Sequence, residues 1–164
     1  MGPTEPMGPM GTTFEGRLDG RGLRVGVVVS RFNSSITRTL HDGARQRLMR
    51  LGVSEADIDT VWVSGAFELP QAVRALMNTE RYDGVVALGC VIRGETPHFD
   101  YVCRSATDGL TQLAINRDVP LAYGLLTCDT PGQAQARAGL KSNKGAEAAE
   151  SLVELIRALE QLKP

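Results

Sequence analysis

Four short apolar runs alternate along the chain with longer stretches that have helical periodicity. Apolar runs without polar alternation are typical of strands that are buried on both faces of a parallel sheet. Because parallel strands connect through right-handed crossovers, the intervening helices cover both faces of such a sheet. The pattern therefore predicts an α/β fold, a three-layer α/β/α sandwich around a four-stranded parallel sheet. The predicted strands cover residues 23–29, 58–63, 85–92 and 121–126.

The stretch after the first predicted strand has the clearest helical pattern. Apolar residues recur from Ile36 to Leu51 at helical spacing, and Gly52 follows where a left-handed terminal residue is favoured. Pro70 fits the first turn of a second helix, which Asn78 ends. Three further helices are predicted, over residues 98–116, from 129 to 138, and along an apolar stripe from 146 to 159.

The start of the chain is rich in proline and glycine. This composition predicts a flexible extension over residues 1–12, ahead of a single domain over residues 13–164. Residues 13–16 are predicted to form a short edge strand before a turn at 19–22. A lone short strand needs a sheet edge to join, and that edge can belong to another subunit.

Size, charge and cysteine content exclude several classes of protein. The chain has 164 residues, 42% hydrophobic and 23% charged, as expected of one soluble globular domain. Its formal net charge is -1 without a basic run, so a small molecule is a better candidate partner than nucleic acid or a membrane. Cys90, Cys103 and Cys128 lack metal-binding spacing and are expected to be reduced, buried thiols. No signal peptide or spanning segment is recognised, which predicts a cytoplasmic protein.

Polar and aromatic residues follow each predicted strand. Ligands bind outside the carboxyl ends of the strands in an open parallel sheet, because loops and helix N-termini converge there. These residues should therefore line one rim and form a binding site. The segments concerned are residues 31–33, 64–68, 93–98 and 127–129.

Two phenylalanines of this rim are candidates for stacking on a planar heterocycle. Phe32 and Phe67 are each flanked by polar residues, and Asn33 and Glu68 are placed to bind the polar edge of such a ring. The alternative is that both rings plug the top of the core. Glu68 also has a simpler interpretation, since the helix dipole favours a carboxylate in a first turn.

His98 is one of two histidines and is predicted to begin a helix after a glycine-hinged loop. The positive end of a helix disfavours the imidazolium, and a neutral imidazole is suited to proton transfer. The alternative is an exposed imidazole without a function, which is our interpretation of His41 in the middle of a helix. The neighbouring Glu95 and Thr96 favour a functional His98.

Three basic residues near the C-terminus are candidates for binding a phosphate group. Arg137, Lys141 and Lys144 carry cationic groups that pair with phosphate oxygens. The alternative is that they are solvated cations that complement helix ends. These residues alone do not decide between the two interpretations.

Four segments stand at the predicted strand ends. They read Val-Ser-Arg-Phe-Asn (29–33), Ser-Gly-Ala-Phe-Glu-Leu-Pro (64–70), Gly-Cys-Val-Ile-Arg-Gly-Glu-Thr-Pro-His-Phe-Asp-Tyr-Val (89–102) and Arg-Ala-Gly-Leu-Lys-Ser-Asn-Lys-Gly (137–145). In this order and spacing they closely resemble the 6,7-dimethyl-8-ribityllumazine synthase family. The resemblance covers about residue 13 to the C-terminus. It implies a flavodoxin-like sheet and an N-terminal edge strand that joins a neighbouring subunit.

The resemblance also implies an activity. The family is a group of transferases that condense 5-amino-6-(D-ribitylamino)uracil with 3,4-dihydroxy-2-butanone 4-phosphate and release phosphate and water. This is the penultimate step of riboflavin biosynthesis, and no metal or redox cofactor is implied. A homo-oligomer is implied as well, either a pentamer, a decamer or an icosahedral shell, with each site between two subunits. Riboflavin synthase is a candidate protein partner.

Matched position by position, the resemblance implies a role for each residue of the site. His98 matches the residue that transfers protons. The pyrimidine side would consist of Phe32, Asn33, Ala66, Phe67, Glu68, Cys90, Val91, Ile92 and, from a neighbouring subunit, Tyr123. The phosphate side would consist of Glu95, Thr96, Arg137 and Lys144.

The chain departs from the family pattern at three places. Tyr123 stands where a phenylalanine is common and adds a hydroxyl that needs a partner. Residues 141–145 are one residue shorter than the usual Lys-Ala-Gly-Asn-Lys-Gly, which leaves open whether Lys144 reaches the phosphate, whereas Arg137 matches directly. Ser64 stands where proline is frequent, with little expected consequence.

Two other functions fit the same residues. An archaeal-type riboflavin synthase of related fold would take the lumazine product as its substrate. A flavin-binding module or a shell protein of the same fold would bind its ligand without turnover. The presence of both His98 and Arg137 favours an enzyme.

Overall fold

A computed structural model describes residues 10–164 and shows one four-stranded sheet. The strand order across the sheet is β2-β1-β3-β4, and all three pairings are parallel. The predicted α/β class and its four strands are confirmed. β4 ends at residue 128 instead of 126 because β3 continues beside it to the same level. The strands are β1 (Val25–Ser30), β2 (Ile58–Val63), β3 (Gly84–Ile92) and β4 (Leu121–Cys128).

Five α-helices connect and follow the strands within residues 10–164. The end of α1 matches the sequence prediction, because Gly52 has a φ of 108° and its N–H donates to the Met49 carbonyl. α5 begins before its apolar stripe, since the Asn143 side chain accepts a hydrogen bond from the Ala146 N–H at 3.0 Å. No helix within residues 10–164 combines the length and apolar composition needed to cross a bilayer. The helices are α1 (Ser34–Arg50), α2 (Leu69–Asn78), α3 (His98–Asn116), α4 (Pro131–Arg137) and α5 (Lys144–Leu162).

The core consists of two apolar layers, one on each face of the sheet. Helices α1, α4 and α5 pack on one face, and α2 and α3 pack on the other. Successive residues of β1 point to opposite faces, so Val27 and Val29 belong to the first layer and Val28 to the second. The continuous apolar run of β1 is therefore explained by burial on both sides.

The sheet is uneven at its carboxyl edge, and this unevenness creates a crevice. Pairing between β1 and β3 ends at Val29 and Leu88, whereas pairing between β3 and β4 continues to Ile92 and Cys128. The end of β3 therefore projects beyond β1. The strand order reverses between β1 and β3, and open parallel sheets bind ligands at such a switch point.

The segment ahead of β1 packs along α5. The Gln161 side chain donates to the Glu15 carbonyl at 2.6 Å, and the Arg157 guanidinium donates to the Asp19 carbonyl at 2.7 Å. Residues 13–16 form no strand in the described chain, and Phe14 is exposed. Pairing of this segment with a second copy stays a prediction. Most of the predicted extension over residues 1–12 lies outside the described residues.

Candidate functional site

The loop after β1 presents one aromatic ring and anchors one amide. The Phe32 side chain is 70% exposed, so the alternative that it plugs the core is wrong. Asn33 has a left-handed backbone with a φ of 62°, which asparagine tolerates better than most residues. Its Nδ2 donates to the Cys90 carbonyl at 2.9 Å. This hydrogen bond ties the loop to β3 at the level where β1 has ended.

The turn after β2 presents a second aromatic ring. Phe67 is 55% exposed, which also excludes a core plug, whereas Ala66 is buried. The Glu68 Oε2 accepts a hydrogen bond from the Gly65 N–H at 3.1 Å. Glu68 therefore stabilises the start of the helix, as the simpler interpretation predicted. Only one of its two carboxylate oxygens is used within residues 10–164.

The end of β3 forms the floor of the crevice. Cys90 is only 2% exposed, and burial raises the pKa of its thiol to about 12. The thiol packs in the apolar layer of α1, α4 and α5. Only the backbone of Cys90 is therefore available at the crevice. Val91 and Ile92 are half-buried and lie beyond the last β1 pair.

The loop between β3 and α3 is open to solvent. Glu95, Thr96 and His98 are all exposed, and Thr96 Oγ1 accepts a long hydrogen bond of 3.4 Å from the His98 N–H. The imidazole of His98 has no hydrogen-bond partner among the described residues. It is therefore free to meet a ligand. His41 is half-buried, contacts Thr60 Oγ1 at 2.9 Å, and has a pKa lowered mainly by burial. The interpretation of His41 as an exposed imidazole is therefore wrong.

Arg93 belongs to the predicted rim segment 93–98, but its contacts were not predicted from the sequence. The Arg93 Nε donates to Asp129 Oδ1 at 2.8 Å, and its Nη1 lies 3.4 Å from Asp100 Oδ1. The guanidinium also lies over the Phe99 ring, 4.5 Å from its centroid. Asp100 follows the rim segment 93–98, and Asp129 is the last residue of the rim segment 127–129. Their positions in the sequence do not reveal that one arginine binds both.

Three predicted site residues lie together elsewhere, in a groove along the open edge of β4. Tyr123, Arg137 and Lys144 line this groove. The Tyr123 side chain is 48% exposed, and its hydroxyl contacts Thr107 Oγ1 at 2.9 Å, which supplies the partner that the extra hydroxyl requires. Tyr123 precedes the end of β4 by five residues, roughly 16 Å along a strand.

The cations of the groove are held loosely. Arg137 Nη1 donates to the Gln133 carbonyl at 2.9 Å, and Lys144 Nζ lies 3.0 Å from Glu147 Oε2. Both side chains are exposed, and so is Lys141 in the preceding loop. The structure thus brings Phe32, Phe67, Glu68 and His98 to the rim, and it places Tyr123, Arg137 and Lys144 in the groove.

Comparisons with known proteins identify the family of this chain. A sequence model of the family described as 6,7-dimethyl-8-ribityllumazine synthase matches residues 22–160. A curated 6,7-dimethyl-8-ribityllumazine synthase of Lactiplantibacillus plantarum (strain ATCC BAA-793 / NCIMB 8826 / WCFS1) is 51% identical over 146 residues, which cover 88% of this chain and 92% of that protein. On both grounds, the chain belongs to the 6,7-dimethyl-8-ribityllumazine synthase family.

Proposed function

We propose that the chain forms 6,7-dimethyl-8-ribityllumazine in a site that two copies of the chain build together. The observation that carries this proposal is the separation of the predicted site residues into two exposed sets. The rim has aromatic rings and an imidazole, and the groove along β4 has the arginine that a phosphate substrate needs. Each set complements the other chemically, so the rim of one copy meets the groove of a second copy.

The rim binds 5-amino-6-(D-ribitylamino)uracil. The exposed rings of Phe32 and Phe67 offer flat apolar faces to the pyrimidine, and the free oxygen of Glu68 accepts a hydrogen bond from the substrate. Ala66, the backbone of Cys90, and the side chains of Val91 and Ile92 complete the wall. Asn33 shapes this wall because its amide holds the β1 loop against Cys90. Tyr123 of the second copy closes the site from the opposite side.

The phosphate of 3,4-dihydroxy-2-butanone 4-phosphate binds where the loop meets α3. At the start of this 19-residue helix the Phe99 N–H has no hydrogen-bond partner among the described residues, and the positive end of a helix favours an anion. Glu95 contributes its backbone and Thr96 its hydroxyl. Arg137 of the second copy supplies a planar guanidinium that can donate two parallel hydrogen bonds to phosphate oxygens, and Lys144 adds a further positive charge.

The chemistry requires proton transfers between these two substrates. The substrate amine attacks the ketone and forms an imine with loss of one water. Phosphate is then eliminated, and the ribitylamino nitrogen closes the ring on the remaining carbonyl with loss of a second water. The imidazole of His98 has no hydrogen-bond partner within residues 10–164, and it moves these protons. Holding both substrates together supplies much of the acceleration, so loss of His98 slows the reaction and does not abolish it.

The assembly follows from the same reasoning. Residues 13–16 add an edge strand to the sheet of a neighbouring copy, and five copies close a ring in which every rim faces a groove. Light scattering of the purified protein separates a pentamer from a decamer and from an icosahedral shell. The enzyme acts in the cytoplasm, and riboflavin synthase consumes its product.

Incubation with both substrates tests the proposed reaction. Appearance of the lumazine chromophore, dependent on both substrates, is the expected result. Consumption of the lumazine as sole substrate would favour a riboflavin synthase instead. Binding of either substrate without turnover would favour a binding module or a non-catalytic shell protein.

A further inference from the structure

Arg93 lies where three elements of the rim meet. It is the first residue after β3, its guanidinium reaches Asp100 in the first turn of α3, and it also reaches Asp129 after β4. Its backbone N–H donates to the Cys128 carbonyl at 2.9 Å. Asp129 is fixed in turn, because its own N–H donates to Gln133 Oε1 at 2.7 Å. Arg93 therefore joins the start of α3 to an anchored point.

The loop that Arg93 spans has few other restraints. Gly94 has no atom within 4 Å of the place a Cβ would occupy, and Glu95 makes no side-chain hydrogen bond within residues 10–164. The 3.4 Å contact between Thr96 Oγ1 and the His98 N–H is long. The position of His98 thus depends on how the first turn of α3 is held, by the buried Phe99 ring and by the guanidinium above it.

We propose that Arg93 is a positioning residue for the reaction, which holds His98 in its reactive place by bridging Asp100 and Asp129. The proposal rests on the function proposed above. An arginine suits this task because its planar fork can bind two carboxylates and stack on an aromatic ring at the same time. A lysine is a point charge and cannot span both carboxylates, so it can replace only part of the bridge.

Exposure distinguishes this role from a structural one. The side chains of Arg93, Asp100 and Asp129 are all substantially exposed, and exposed ion pairs contribute little to global stability. A displacement of a reacting group by about 1 Å, in contrast, can reduce the rate by up to about a hundredfold. Loss of the bridge should therefore reduce turnover far more than it reduces the melting temperature.

The test compares Arg93→Gln, Arg93→Lys and Asp129→Asn in the full-length assembled protein. Arg93→Gln should lower kcat about tenfold or more while the KM of the uracil substrate, bound by the other loops, changes by less than about twofold. Arg93→Lys should recover part of kcat. The double variant Arg93→Gln/Asp129→Asn should have nearly the same kcat as Arg93→Gln alone, because the two residues act together. Arg45→Gln is the matched control, since Arg45 pairs with Glu55 at 2.9 Å away from the rim.

A second readout does not depend on turnover. The only two imidazole signals in the NMR spectrum of the wild-type chain come from His98 and His41. Arg93→Gln should shift or broaden the His98 signal and leave the His41 signal unchanged. An unchanged kcat together with an unchanged His98 signal overturns the proposal, as does a parallel fall of kcat and melting temperature. A wild-type chain that forms no lumazine overturns the proposed function, and the His98 signal still decides whether Arg93 positions this side chain.

Discussion

Replacing Asn33 tests whether the amide bridge to Cys90 shapes the crevice. Two separate features of Asn33 contribute to the stability of the chain: its tolerance of a left-handed backbone and the 2.9 Å hydrogen bond from Nδ2 to the Cys90 carbonyl. Asn33→Ala removes both features. An alanine with positive φ costs about 1 kcal/mol, and the lost hydrogen bond costs about 1 kcal/mol more, or up to about 2 if the carbonyl stays without a partner. We expect the free energy of unfolding of Asn33→Ala to be about 2–3 kcal/mol lower than that of the wild type.

Asn33→Gly separates the two contributions, because glycine adopts positive φ freely and still lacks the amide. It should lose only about 1–2 kcal/mol, and the difference between the two variants measures the backbone strain. Glu80 is the control, since it has a φ of 58° without any side-chain hydrogen bond among the described residues. Glu80→Gly should stay within about 1 kcal/mol of the wild type.

Thermal unfolding followed by circular dichroism measures all three variants at one protein concentration. For a chain of this size, about 1 kcal/mol corresponds to a shift of about 2–4 °C, so Asn33→Ala should melt roughly 4–12 °C below the wild type. A melting temperature of Asn33→Ala equal to that of the wild type would refute the reasoning. Equal losses in Asn33→Ala and Asn33→Gly would refute the part that concerns the backbone.

Four further outcomes are expected. Gly145→Ala should destabilise by about 1–3 kcal/mol in thermal melts, because its Cβ would meet the Leu40 carbonyl well under 3.0 Å away. Gly132→Ala should not destabilise, because the nearest described atom to its Cβ is Thr130 Oγ1 at 3.9 Å. Because burial raises the pKa of Cys90 from 9.0 to about 12, its stabilising contribution should be complete below pH 9 and decline as the pH rises toward 12, as denaturant titrations at each pH can measure. His98→Ala should fold normally in circular dichroism and lower kcat about a hundredfold. Arg137→Ala should mainly raise the KM of the phosphate substrate in steady-state assays.

The sequence predicted most of the fold because hydrophobic periodicity reports burial directly. The predicted bounds of α2 and α3 are confirmed, because Pro70 and the loop before His98 mark the starts of these two helices. The end of β4 was placed too early, at residue 126. Exposed Thr127 interrupts the apolar pattern there, although its backbone still pairs with Val91.

The site was predictable in its members but not in its contacts. Strand-end position identified Phe32, Phe67 and His98, because topology places every strand end at one rim. The direction of a side chain leaves no such pattern, so the bridge from Arg93 to Asp129 was missed. Burial of the Cys90 thiol was predicted and is confirmed, but the face of the sheet on which the thiol lies was not predicted.

Mixed oligomers test the central claim, that His98 and Arg137 of each site come from different copies. His98→Ala and Arg137→Ala are purified separately, co-assembled in equal amounts and assayed for lumazine formation. The concentration of the phosphate substrate is kept far below the KM of Arg137→Ala, so that each variant alone is nearly inactive. With random assembly about a quarter of the interfaces pair an intact rim with an intact groove, so activity should recover to about a quarter of the wild-type value. Activity of the mixture no higher than the mean of the two separate variants would contradict a site shared between copies.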